Sequence, residues 1–196
     1  MKKGKRGLPV GCSIGIALII FFVILHSPMP TLAKEAHLSD IVVTSTRDYL
    51  LVYFGVVDCF TEEMMTAIES GIDTTFTFFV RLYEKRGFWL DKKIADIKVK
   101  HSVKYNNLKK IYELRLSEQN NKTIILEDFD EVRELMTEVV ALKVTPLNNL
   151  KKGVDYKLRL MAELDKIILP FYLHHIFFAL SLWDFETDWY SIDFRY

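Results

Sequence analysis

Asp96-Ile97-Lys98-Val99-Lys100-His101-Ser102-Val103-Lys104-Tyr105 alternates apolar and polar side chains for ten residues. A repeat of two sends Ile97, Val99, His101, Val103 and Tyr105 to one side of an extended chain. Asp96, Lys98, Lys100, Ser102 and Lys104 go to the other. A helix would scatter both sets around its axis, so the stretch reads as a long strand with one face in the core and one in water. Strands of that kind belong to antiparallel sheets, because parallel ones are covered on both faces.

The same reading extends outward. Upstream, Asp40–Ser45 and Tyr49–Val57 are strand candidates with a turn at Arg47-Asp48. Thr61 is placed to cap a helix, Glu62 and Glu63 suit its first turn, Phe60 can staple onto Met65, and Gly71 ends it. Thr74–Glu84 puts Phe76, Phe78, Val80 and Leu82 on one face, and Gly87 marks a bend before a strand expected over Trp89–Tyr105. A two-residue turn at Asn106-Asn107 then leads into Leu108–Leu116, with Tyr112, Leu114 and Leu116 on one side.

Downstream, a polar turn over Ser117–Asn121 and a short strand, Thr123–Leu126, precede a helix started by Asp128. Its apolar stripe is expected to run Phe129, Val132, Leu135, Met136, Val139 and Val140. After Pro146 and the turn at Lys151-Lys152-Gly153, Tyr156 to Asp165 alternates again. Ile167–Trp183, read as a helix, is apolar on two sides: Leu169, Tyr172, Leu173, Ile176, Leu180 and Trp183 on one, Phe171, His174, Phe178 and Ser181 on the other. Such a helix is buried on both sides or touches something outside the protein. The expected fold is therefore α+β and predominantly antiparallel, with a sandwich as one arrangement and two to three packing helices.

The amino terminus decides the compartment. Lys2, Lys3, Lys5 and Arg6 precede the sixteen-residue apolar run Val10–Leu25, and Thr31-Leu32-Ala33 supplies small residues at the cleavage positions. This is the order of a secretory signal peptide, shorter than the roughly 20 residues that span a bilayer. Residues 1–33 are expected to be a signal peptide or, if uncut, a signal anchor, with one domain over 35–196. The expected location is the periplasm, with retention at the inner membrane if the anchor persists.

Charge and cysteine content narrow the function. Four of the 26 basic side chains and none of the 26 acidic ones lie before Ala33, so the remaining chain is acidic by four charges. That balance argues against nucleic acid as a partner. Cys12 falls in the leader, leaving Cys59 without an internal partner and best read as a small buried residue at a strand–helix corner. His174-His175 are adjacent, point about 100° apart on a helix and do not converge on one ion. The carboxylates Asp184, Glu186, Asp188 and Asp193 fall in a strand-like end piece. No nucleophile elbow, phosphate loop, dinucleotide fingerprint or zinc spacing occurs, so neither a catalytic residue nor a cofactor is assigned. His101 reads as a hydrogen-bonded core histidine, with pH sensing as the alternative.

What remains is surface. Lys98, Lys100 and Lys104, continued by Lys109 and Lys110, form a basic stripe on the outward face of the sheet, suited to an acidic partner or anionic headgroups. Phe171, Tyr172, Phe178, Trp183 and Trp189 are the aromatic candidates for contact. The expected function is a non-catalytic envelope interaction module touching an envelope or membrane protein, or the membrane surface. The alternative is a carrier of lipid or another apolar ligand.

The order of residues resembles an exported bacterial family, domain of unknown function 4390. The resemblance runs from the early strand pair through Phe60-Thr61-Glu62-Glu63-Met64 and Ser70-Gly71-Ile72 to the Phe-rich strand ending at Trp89. It continues through the helix from Phe129, Tyr156-Lys157-Leu158-Arg159-Leu160, the run Leu169-Pro170 to Trp183, and Trp189-Tyr190. The family's genes are often found near membrane-bound sensor histidine kinases of the nitrogen-regulation type. The resemblance therefore implies an accessory role beside such a kinase and carries over no catalytic residue.

Overall fold

The computed structural model describes residues 35–165 and 186–196. The expected leader over 1–33 and the expected helix Ile167–Trp183, with Phe171, Tyr172, His174, His175, Phe178 and Trp183, lie outside them. Among the described residues nine strands and two α-helices follow one another as β1 (His37–Ser45), β2 (Tyr49–Val57), α1 (Glu62–Glu69), β3 (Thr74–Glu84), β4 (Lys92–Asn106) and β5 (Ile111–Leu116). Then come β6 (Thr123–Leu126), α2 (Phe129–Thr137), β7 (Glu138–Pro146), β8 (Asp155–Leu164) and β9 (Tyr190–Arg195). They form a three-stranded sheet, β1-β2-β7, and a six-stranded sheet, β6-β5-β4-β3-β8-β9. Every pairing is antiparallel, as the alternation in β4 requires.

One apolar core joins the two sheets and both helices. Leu50, Val52, Phe54 and Val56 from β2 meet Phe76, Phe78, Val80 and Leu82 from β3, and the rings of Phe54 and Phe78 touch edge to face at 5.7 Å. Ile68 of α1 and Val132 and Met136 of α2 close over the rest of the inner face. Inward positions of β4, β5 and β8 follow the expected alternation: Val99, His101 and Val103; Tyr112, Leu114 and Leu116; Tyr156, Leu158 and Leu160 are all buried.

Local chemistry sets the ends of α1. The Thr61 hydroxyl accepts from the Met64 amide at 3.2 Å, satisfying one of the unpaired first-turn donors. At the other end the Gly71 amide donates to Ile68 and the Ile72 amide to Ala67, with Gly71 at φ +87°. This is a Schellman closure, and only glycine takes its left-handed position without strain. Phe60 packs its ring on Phe76 and Phe129.

Four boundaries differ from the sequence reading, the first being β1, which begins at His37 rather than Asp40. Helix α2 stops at Thr137, and the residues expected to prolong it form β7, paired with β2. The register slips between Val52 and Phe54, so an extra β7 residue is accommodated around Ala141, which sits at φ +53°. The bulge turns Val139 and Leu142 inward, three residues apart like a helical stripe, while Val140 is 60 % exposed. Strand β4 starts at Lys92, because Glu84 pairs with Lys92 and the Asp91 carboxylate accepts from the Arg86 amide, closing a loop over 85–91 that contains Trp89. The turn before β5 spans 107–110 rather than two residues: the Asn106 side chain accepts from the amides of Leu108 and Lys109, and Lys110 takes φ +58°.

Candidate interaction surface

The outer face of the six-stranded sheet is built from cross-strand rows. One row sets Asp96 of β4 against Arg81 of β3 and Arg159 of β8; the next sets Lys98 against Phe79 and Met161. Two arginines directly opposite each other repel. Here they share one ring: Arg81 and Arg159 lie 4.6 and 4.7 Å from the Trp189 indole. Arg81 also reaches the Asp96 carboxylate at 3.2 Å. Trp189 neighbours Phe79 at 6.3 Å between ring centres, and the Lys98 ammonium sits 4.6 Å over Phe79. The result is a patch of three cations laid over two aromatic rings, an arrangement that binds each cation by the ring's quadrupole.

Of the residues named from sequence, Lys98 and Trp189 meet in this patch. Lys100 pairs with Asp165 at 2.6 Å, and the other oxygen of that carboxylate accepts from the Thr77 hydroxyl. Lys104 stands opposite Glu113 of β5, away from the rings. The stripe is thus divided among an aromatic, a carboxylate and solvent rather than forming one basic field. Arg81, Arg159 and Phe79 escaped the sequence reading. Alternation does put Phe79 and Arg81 on the face opposite Phe78 and Val80, but the register that brings Arg159 beside Arg81 is not written in either strand.

His101 and Cys59 are internal. His101 is fully buried; its Nδ1 donates to the Met136 carbonyl at 3.2 Å and its Nε2 meets Glu118 at 2.9 Å. Burial pushes the Glu118 carboxyl up, but the hydrogen bond and field of His101, together with hydrogen bonds from its own amide and Ser117, hold the group below its usual range. The pair ties β4 to the turn after β5 and to the end of α2. Cys59 is buried, and desolvation pushes its thiol up to about 12, which leaves it a poor nucleophile.

A recess of about 260 Å³ lies where β1, β2 and β7 are bulged, lined by Ser39, Asp40, Tyr53, Gly55, Glu138 and Val140 among others. Among the described residues no group of three His, Cys, Asp or Glu side chains could hold a metal ion. Nor is any helix among them long and apolar enough to cross a membrane.

No curated protein and no solved structure matches the chain. The family model described as Domain of unknown function (DUF4390) matches residues 33–193, most of the chain, and the chain belongs to that family.

Proposed function

We propose that the domain is a non-catalytic interaction module of the bacterial envelope, exported by its leader and docking on a membrane protein through the outer face of the six-stranded sheet. The observation that carries this reading is the patch of Lys98, Arg81 and Arg159 over Phe79 and Trp189. Arginine and tryptophan dominate the energetics of protein interfaces, because each offers a large flat surface that loses little freedom on contact. The family resemblance adds the class of partner, a membrane-bound sensor histidine kinase. The carrier alternative rested on Phe171–Trp183, which lies outside the described residues.

Chemical crosslinking in intact envelopes followed by purification of the full chain tests the proposal. A membrane protein should be recovered with the native chain and lost with Lys98→Glu/Arg159→Glu. Recovery of none across growth conditions, or equal recovery with the double variant, would overturn it.

A further inference from the structure

The loop joining β3 and β4 carries Phe88, Trp89 and Leu90 in succession, and their exposures are 100, 81 and 93 %. Three adjacent bulky apolar side chains in water are unusual on a protein surface, where such residues are normally scattered singly. The loop is not loosely attached. The Lys85 amide donates to the Asp155 carbonyl at 2.9 Å and the Arg86 amide to the Asp91 carboxylate at 3.3 Å, so the apolar residues ride on the end of a long, paired hairpin.

Basic side chains surround them. Lys85, Arg86, Lys92 and Lys93 flank the tip in sequence, and Lys151 and Lys157 reach the same end of the sheet through Glu84 and Asp91. Of the acids nearby, Glu84, Asp91, Asp96 and Asp193 are engaged in ion pairs, and Asp155 adds its field at Lys85. Glu84 is shared by Arg86 at 3.8 Å and Lys151 at 3.4 Å, Asp193 holds Lys85 at 2.9 Å, and Asp96 holds Lys93 at 2.7 Å. Lys92 and Lys152 are exposed at the same end, which leaves positive charge in excess around an aromatic point.

We infer that the β3–β4 tip is a membrane-surface anchor, with Phe88, Trp89 and Leu90 entering the headgroup boundary of a bilayer while the surrounding lysines and Arg86 meet anionic headgroups. Tryptophan settles at that boundary because its ring is apolar and its N–H is not. A bulky apolar group and a basic flank are the two attractions that together hold a protein at an anionic surface. The inference rests on the envelope location proposed above and adds a second contact at a different place on the domain.

The test uses the full chain with Trp183→Phe and Trp189→Phe, so that Trp89 alone reports. Vesicles of phosphatidylcholine with and without phosphatidylglycerol are made with brominated acyl chains, which quench indoles that enter the bilayer. The expected result is a blue-shifted, quenched Trp89 in the anionic vesicles, weaker in the neutral ones and weakened by salt. Adding Phe88→Ser and Leu90→Ser should cut that quenching by about threefold or more. The full chain carrying only Trp89→Phe reads the same quantity as a difference and keeps the test valid if the double tryptophan replacement unfolds. Emission unchanged by any vesicle would overturn the inference, as would equal quenching in neutral and anionic vesicles. Shielding that needs no lipid and grows with protein concentration would also overturn it, in favour of a second copy. A Trp89 that stays in water leaves docking through Trp189 and Arg159 intact, whereas loss of the crosslinked protein with Trp89 still quenched removes only that docking.

Discussion

Replacing Glu118 by alanine should destabilise the domain by about 2 kcal/mol at neutral pH. The carboxylate lies 2.9 Å from the Nε2 of a fully buried histidine, and a hydrogen bond to a charged group contributes roughly 1.5–3 kcal/mol. The lower half of that range applies, because the Glu118 side chain is 18 % exposed and water can replace part of what it supplies. For a domain of this size, about 2 kcal/mol lowers the melting temperature by roughly 4–8 °C. The sign of the pH dependence follows from the lowered Glu118 carboxyl. A carboxyl held down in the folded state stabilises above its unfolded value of about 4.3, and that stabilisation is lost as pH falls through the folded value. The gap between native and Glu118→Ala chains, followed by circular dichroism in urea, should therefore be full near pH 7 and shrink in acid. A gap below about 0.5 kcal/mol at pH 7, or one that widens in acid, would refute the reasoning.

Other substitutions address other parts of the fold. Gly71→Ala places a Cβ at φ +87° and 3.3 Å from the side-chain Nδ2 of Asn107, so urea unfolding should show a loss of about 1–2 kcal/mol. The Thr74 hydroxyl is buried with no hydrogen-bond partner among the described residues, and Thr74→Val should leave stability unchanged or raise it by up to about 1 kcal/mol in the same assay. Trp189→Ala removes the ring between Arg81 and Arg159 and exposes their repulsion. A loss of about 1–2 kcal/mol is expected, smaller at high salt, where that repulsion is screened. In a Cys12→Ser chain, Ellman's reagent should find Cys59 unreactive until denaturant is added, as expected of a buried thiol pushed up to about 12.

The parts of this fold that could be read from sequence are those set by short-range chemistry. The alternation through Val99, His101 and Val103 is enough for a half-wet strand, and Thr61 and Gly71 bound α1 by supplying the hydroxyl and the left-handed turn that its ends need. Strand β7 was hidden because Val139 and Val140 stand three and four residues past Met136 and so prolong the helical stripe, although in the strand Val139 is buried and Val140 exposed. Trp89 was drawn into β4 by its aromatic character, which suits a strand as well as it suits a tip in solvent. The patch around Trp189 depends on register: Arg159 faces Arg81 only because Phe76 pairs with Leu164, and neither strand encodes that offset by itself.

Site-resolved photocrosslinking in living cells tests the docking face most directly. A photoreactive amino acid at position 98 or 159 should capture the same membrane protein, while one at the exposed Val42 on edge strand β1 of the three-stranded sheet should capture nothing. No adduct from 98 and 159, or the same adduct from all three positions, would contradict the assignment of the outer sheet face as the surface that meets a partner.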